Sequence, residues 1–295
     1  MPNEQLAFGI DISKYNTSPD GKQKPDFDII AAHQPEVVFI AMRAGISWGY
    51  QDPWFSYYFS EVTRINRIRM AYHVLYPGES PTAQMDNFFR ILGDIDFDMV
   101  PLVLDLELHH NQTISRITQC TVDALKLIKD RTGRIPFIYS RANWINQYLI
   151  VSALPPVHWW LAQYRYTWPY PLYTPEYESP PALPNGVGTW TVHQTAMRGK
   201  SIGARAMHYM DYNRWNGTKV DVYALVGEKI LEPLICPVDG ELCPRLKRRQ
   251  AASVVTCPLN NVKWECTTQE SLAVDSEPCN RFFKSKGEIA SLRSQ

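Results

Sequence analysis

The chain has 295 residues, 45% of them hydrophobic, with 30 basic and 30 acidic side chains. That is enough apolar material to fill one large domain, or one domain with an appendage, and it excludes general disorder. Balanced charge leaves no electrostatic footprint for nucleic acid, and no apolar run is long enough to span a membrane.

In chain order, the opening "MPNEQLAFGI" shows no basic region followed by an apolar one, so no secretory leader is read there. "LAFGIDIS" (6–13) and "VVFIAMRAG" (37–45) are strand-length apolar runs, with a helix read at 26–33 between them. A second helix is read at 53–65, where Asp52 and Pro53 look like an N-cap followed by proline at the first helical position. "RMAYHVLYP" (69–77), a helix at 82–92 and "VPLVLDLE" (100–107) come next. The helix at 115–131 carries Ile117, Cys120, Val122, Leu125 and Ile128 on roughly one face. "IPFIYS" (135–140), "HWWLAQY" (158–164), "WTVHQTA" (190–196) and "YMDYNRW" (209–215) complete eight strands.

Near-continuous apolar runs indicate parallel strands buried on both faces. Their alternation with helices implies an α/β fold closed as a TIM-like β/α barrel, with an open doubly wound sheet as the alternative. Either arrangement gathers functional groups at the carboxyl ends of the strands. Residues 165–188 are too rich in proline for a helix, so the second half should be helix-poor, with an aromatic loop over one rim. From about residue 231 the composition changes. Only 14 of the last 60 residues are Val, Ile, Leu, Met, Phe, Trp or Tyr, too few for an independent core without cross-links. The expected organisation is a domain over 1–230 and a Cys-containing appendage over 231–295, with partial disorder of the latter left open.

The chemistry is concentrated in "VPLVLDLELHH" (100–110), where an apolar strand ends in Asp105 and Glu107. Residues i and i+2 of a strand share a face about 7 Å apart, so both carboxylates should point into one cleft. Asp11 closes the run "FGID" and Asp211 follows "YM". A single strand-end aspartate often caps a helix or pairs with an arginine; four such acids together favour a site. Crowding of like charges would raise at least one pKa and leave a protonated acid beside ionised partners, as acid-assisted cleavage of a glycosidic bond requires.

The segments "FGIDISKYN", "FIAMRAGISWGYQDPWF", "MAYHVLYPG", "PLVLDLE", "IYS", "WWLAQY", "HQT" and "DYNRWNG" resemble, in order and spacing, glycoside hydrolase family 25. These are the Chalaropsis-type lysozymes, or N-acetylmuramidases, found among phage endolysins and bacterial autolysins. The resemblance covers residues 6–227. It implies an irregular barrel and hydrolysis of the β-1,4 bond between N-acetylmuramic acid and N-acetylglucosamine in peptidoglycan. It also implies Glu107 as general acid/base and Asp105 as stabiliser of developing positive charge or as a guide for the 2-acetamido group, with Asp11 and Asp211 completing the acidic floor. Tyr72 and Arg43 correspond to family positions in the cleft, although Arg43 equally suits a structural ion pair. Tyr139, Trp160, Tyr164 and Gln194 are sugar-binding candidates by position; Trp159 and Trp160 alternate, so one of them faces inward.

Two stretches depart from the family pattern: the longer, basic "AMRGKSIGARAMHYM" before Asp211, and the insert at 165–188. His109 and His110 suit solvated loop positions, and no metal-ligand spacing occurs, so neither metal nor cofactor is expected. The implied partner is bacterial peptidoglycan, with no nucleic acid, membrane or obligate protein partner. Action is expected at the cell wall, reached by release or by an export route without a leader. A non-catalytic wall- or chitin-binding protein on the same barrel, or a hydrolase of another N-acetylhexosamine polymer, are the competing readings.

Overall fold

The computed structural model describes residues 6–164, 179–204 and 209–226, together with the strands at 253–256 and 263–266. By its internal contacts the chain divides into two units, residues 1–228 and 229–295. In the second unit the described residues form an antiparallel pair, Ser253–Thr256 with Lys263–Cys266. The remainder of the appendage, including the basic run at 245–249, lies outside the described residues.

In the first unit the order is β1 (Phe8–Ile12), α1 (Phe27–Ala32), β2 (Val37–Ile46), β3 (Tyr50–Gln51), α2 (Phe55–Arg64), β4 (Ile68–Val74) and α3 (Pro81–Leu92). There follow β5 (Leu102–Asp105), α4 (Ile114–Thr132), β6 (Phe137–Ser140), α5 (Ala142–Tyr148), β7 (His158–Ala162), β8 (Val192–Lys200), β9 (Tyr209–Trp215) and α6 (Lys219–Val226). The sheet runs β1-β9-β8-β7-β6-β5-β4-β2 and closes where β1 pairs with β2; β3 is a short addition to β2. This is the expected closed α/β barrel of eight strands, poor in helices after α4.

Direction is the one topological surprise. Of the barrel strands, β1, β2 and β4 through β8 run parallel, whereas β9 is antiparallel to both β8 and β1. A parallel return needs a crossover of a dozen or more residues. Residues 201–208 are too few for one, so the chain doubles back. The stretch that departs from the family pattern contributes the end of β8 through Lys200 and the start of β9 at Tyr209 and Met210, while residues 205–208 lie outside the described residues.

Local chemistry sets the helix ends. Asp26 accepts from the amides of Asp28 and Ile29 at the start of α1, Ser80 from Ala83 at α3, and Thr113 from Arg116 at α4. Gly133, at φ 69°, ends α4 in the left-handed conformation that glycine adopts without strain.

The alternation of strand residues divides the apolar side chains into two layers. Phe8, Ile10, Met42, Leu104, Ile138, Trp159 and Leu161 face outward and pack under the helices. Phe39, Met70, Val103, Phe137, Trp160, Val192 and Trp215 fill the interior, joined by Val222 and Val226 of α6. Phe39 lies so close over Gly9 that a Cβ there would stand 2.4 Å from the ring.

Candidate active site

At the carboxyl ends of the parallel strands the interior opens into a cavity of about 450 Å³. Asp11, Arg43, Tyr72, Asp105 and Glu107 line it, and so do Tyr139, Trp160, Tyr164, Gln194 and Asp211. All ten residues singled out from the sequence are therefore brought together. Asp211 arrives from an unexpected direction: because β9 is antiparallel, it enters the mouth near the start of its strand and stands directly opposite Asp11.

Strand β5 ends at Asp105, and Glu107 lies in the loop just beyond it. Backbone bonds hold this turn: the amide of Leu106 donates to Tyr139 O at 2.9 Å, and Ser140 Oγ donates to Leu106 O at 2.6 Å. Asp105 and Asp11 are each 7% exposed, while Glu107 is open to the cleft. Burial raises the Asp105 carboxyl well above its ordinary value, with the charges of Glu107 and Asp11 adding to it and Arg43 opposing. Burial likewise raises Asp211, reinforced by the charge of Asp11 and a hydrogen bond to it. Glu107 is raised by the protein packed around the cleft, lowered by Arg141 and raised again by Asp11. Asp11 is raised by burial but pulled down by hydrogen bonds from Asn213, Gln194 and Asp211.

Those bonds belong to a buried network. Gln194 Nε2 and Asn213 Nδ2 both donate to Asp11 Oδ2 at 2.8 Å. The phenols of Tyr139 and Tyr164 donate to Gln194 Oε1 at 2.7 and 2.9 Å, and Trp160 Nε1 donates to Asn213 Oδ1 at 2.9 Å. Trp160 is the inward member of the tryptophan pair, at 2% exposure, and its polar atom is already committed within the wall.

Arg43 forms a buried ion pair, its Nε donating to Asp52 Oδ2 at 2.9 Å. This corrects the expectation for Asp52. The second helix begins at Phe55, with Trp54 at its N-cap position, and Asp52 is fully buried. Its Oδ1 accepts from the Trp54 amide, while Oδ2 takes both Arg43 and the amide of Lys14. A buried arginine leaves a larger penalty uncompensated than a helix end does, so the carboxylate goes to the ion pair. Arg43 Nη2 and Asp105 Oδ1 are buried without a hydrogen-bond partner, one donor and one acceptor in the walls of the same cavity.

Sequence reasoning passed over Ser13, Tyr15, Tyr76 and Arg141, which also line the cavity. Arg141 had a visible signal, since it follows the apolar strand "IPFIYS" as the acids follow theirs. Asn213 had one too, two residues beyond Asp211 on the same strand face. The loop histidines pack on aromatic rings: His109 stacks on Tyr148 at 4.8 Å and His110 lies 4.4 Å from Tyr76. Among the described residues, no group of three or more His, Cys, Asp or Glu is arranged to hold a metal ion.

A closed β/α barrel with acid-rich walls at its carboxyl-end mouth suits a glycoside hydrolase, which acts through paired carboxyl groups. The sequence profile of the glycosyl hydrolases family 25 matches residues 10–220, and the chain belongs to that family. It is similar to the uncharacterized protein YegX of Escherichia coli K12, 25% identical over 231 residues, 77% of this chain and 75% of that one. It is also similar to lysozyme M1 of Streptomyces globisporus, 28% identical over 202 residues and 63% of each chain. The structure of the bacterial lysozyme from Streptomyces coelicolor superposes with a TM-score of 0.61 at 22% identity, over 76% of this chain and 99% of that one.

Proposed function

We propose that the chain is a peptidoglycan hydrolase that cleaves the β-1,4 bond between N-acetylmuramic acid and N-acetylglucosamine. The barrel over residues 1–230 carries the activity, and 231–295 is an appendage to it. The observation that carries this reading is the division of labour among four carboxyl groups in one cavity. Asp11, Asp105 and Asp211 sit in the wall, and Glu107 alone stands open to the cleft with a raised proton affinity.

Glu107 is placed to protonate the glycosidic oxygen as the bond breaks and to take a proton back from water in the second half of the reaction. Asp105 supports the positive charge that develops at the anomeric carbon. Its unpartnered Oδ1 is an acceptor suited to the N–H of a 2-acetamido group. Arg43 Nη2 is a donor for a substrate oxygen. Tyr72, whose phenol is held protonated by burial and by the charge of Asp11, supplies a hydroxyl in the same wall. Tyr139, Tyr164, Gln194 and Trp160 shape the cavity around the sugar. Membership of the family, and the lysozyme among its relatives, support peptidoglycan as the substrate.

The test is digestion of purified peptidoglycan by the full chain, with borohydride reduction and mass spectrometry of the new ends. Reduced muramic acid is the expected product. Reduced glucosamine at the new ends would keep the enzyme and overturn the bond assignment. Wall binding with no new ends from a folded protein would favour the non-catalytic reading.

A further inference from the structure

Asp11 and Asp211 form a directly opposed cross-strand pair, Asp11 buried and Asp211 half-buried, and each carboxyl group raises the other's proton affinity or hydrogen-bonds to it. Two carboxyl groups so placed share one proton, and symmetry gives no reason for it to sit on either. What breaks the symmetry lies behind Asp11. Both amide donors converge on its Oδ2, and two hydrogen bonds to one carboxylate favour its charged form.

The amide of Asn213 has a fixed orientation for a simple reason. Indole N–H can only donate, so Trp160 Nε1 requires an oxygen opposite it. Flipping Asn213 would set N–H against N–H at one end and oxygen against carboxylate at the other. Gln194 is oriented less strictly, because the phenols that meet its oxygen can also accept. Asn213 is completely buried, so water does not compensate for a lost partner.

We propose that Asn213, backed by Trp160, is a positioning residue that makes Asp11 the anionic member of the pair and leaves the shared proton on Asp211. This rests on the muramidase reading for its consequence, since the charge of Asp11 is one of the influences that raise the proton affinity of Glu107. Other groups act on the same cavity: Arg43 from β2, Tyr72 from β4, and Asp105 and Glu107 from the end of β5. Tyr139 faces it from β6, Arg141 from just beyond β6, and Tyr164 from beyond β7. None of them occupies Asp11 Oδ2.

The direct test is a titration of aspartate side-chain carboxyls by 13C NMR in the full chain, in Asn213→Leu and in Trp160→Phe, with Asp11→Asn for assignment. Asp11 is expected to ionise before Asp211 in the wild type, and the two titrations to converge or exchange order in Asn213→Leu. Trp160→Phe should move them the same way by less, and should add nothing in the Asn213→Leu background. Peptidoglycan turnover is read in parallel. Expected are a kcat loss of about 10- to 100-fold, the range seen when an orienting partner is removed, a KM within about twofold, and an alkaline limb moved to lower pH. Unchanged titrations in a folded Asn213→Leu chain would overturn the proposal, as would additive effects of the two substitutions. If Asn213→Leu does not fold, an unmoved pair in Trp160→Phe overturns it. The NMR result stands whether or not the wild type cleaves peptidoglycan, so failure of the muramidase reading would be seen separately.

Discussion

The two ends of the barrel interior are made by the same strands. At the amino-terminal end of the parallel strands, Phe39 meets Trp215 edge-on at 5.6 Å, Phe137 lies 5.9 Å from the same indole, and α6 seals the opening with Val222 and Val226. Four residues along, Phe39 has become Arg43, Phe137 has become Arg141, and on the reversed β9 Trp215 has become Asp211. Val103 gives way to Asp105 and then Glu107. One end lowers the free energy of the fold by removing apolar surface from water. The other raises it by keeping carboxyl groups out of water and close together. The difference teaches that a closed barrel carries a strained polar mouth only because the opposite end is densely packed.

Substitutions at the two ends should therefore move stability in opposite directions. The largest effect is expected at the packed end. Phe137→Ala removes a fully buried ring and should cost about 3–5 kcal/mol, measured by urea denaturation, while activity per folded molecule changes little. If activity fell in proportion to stability, the separation of the two ends would fail.

A smaller effect tests a buried group outside both ends. His73 is 0% exposed, and burial lowers its pKa from 6.5 to about 3, against the opposing pull of the Ser47 backbone. Below pH 6.5 the unfolded chain binds a proton that the folded chain refuses, so stability falls by about 1.4 kcal/mol per pH unit. His73→Leu should be close to neutral at pH 7.5 and stabilising by about 2 kcal/mol at pH 5. Equal effects at the two pH values would contradict that assignment.

At the mouth, Asp105→Asn should raise thermal stability while abolishing most activity. The Asp105 carboxyl is raised in the folded state, so its penalty is present at neutral pH, where the unfolded chain is ionised, and vanishes below the unfolded value of 3.8. Expected at pH 7 is a gain of about 2–4 °C in Tm, the shift for about 1 kcal/mol in a domain of this size. A loss of stability at pH 7 would show that the group is compensated rather than strained. The smallest effect belongs on the surface. Arg64 pairs with Glu61 and Asp28 in solvent, and Arg64→Ala should change stability by less than about 1 kcal/mol, and less still in high salt.

Much of this contrast can be read from residue order. Apolar runs ending in acids marked both the strands and the mouth, since period-two alternation and a buried strand force those acids inward. Strand direction was less legible, because alternation is the same in either sense. Only the short connection at 201–208 reveals that β9 turns back and that Asp211 therefore faces Asp11. Asp52 was misread because Asp-Pro before a helix is a strong local pattern, and its partners, Arg43 and the amide of Lys14, come from other strands and turns. Asn213 shares a related reason: its place on the face of Asp211 was readable, but its role shows only once the indole that meets it is known.

The central claim is that Glu107 performs the chemistry and the rest of the mouth prepares it. The most direct measurement is turnover of purified peptidoglycan by the full chain and by Glu107→Gln, with thermal unfolding of both. Expected is a loss of about 10²- to 10⁴-fold in the variant, the range for removal of a general acid, with Tm unchanged or higher. A folded variant that kept activity within about tenfold of the wild type would contradict it, because removal of the general acid costs about 10²- to 10⁴-fold.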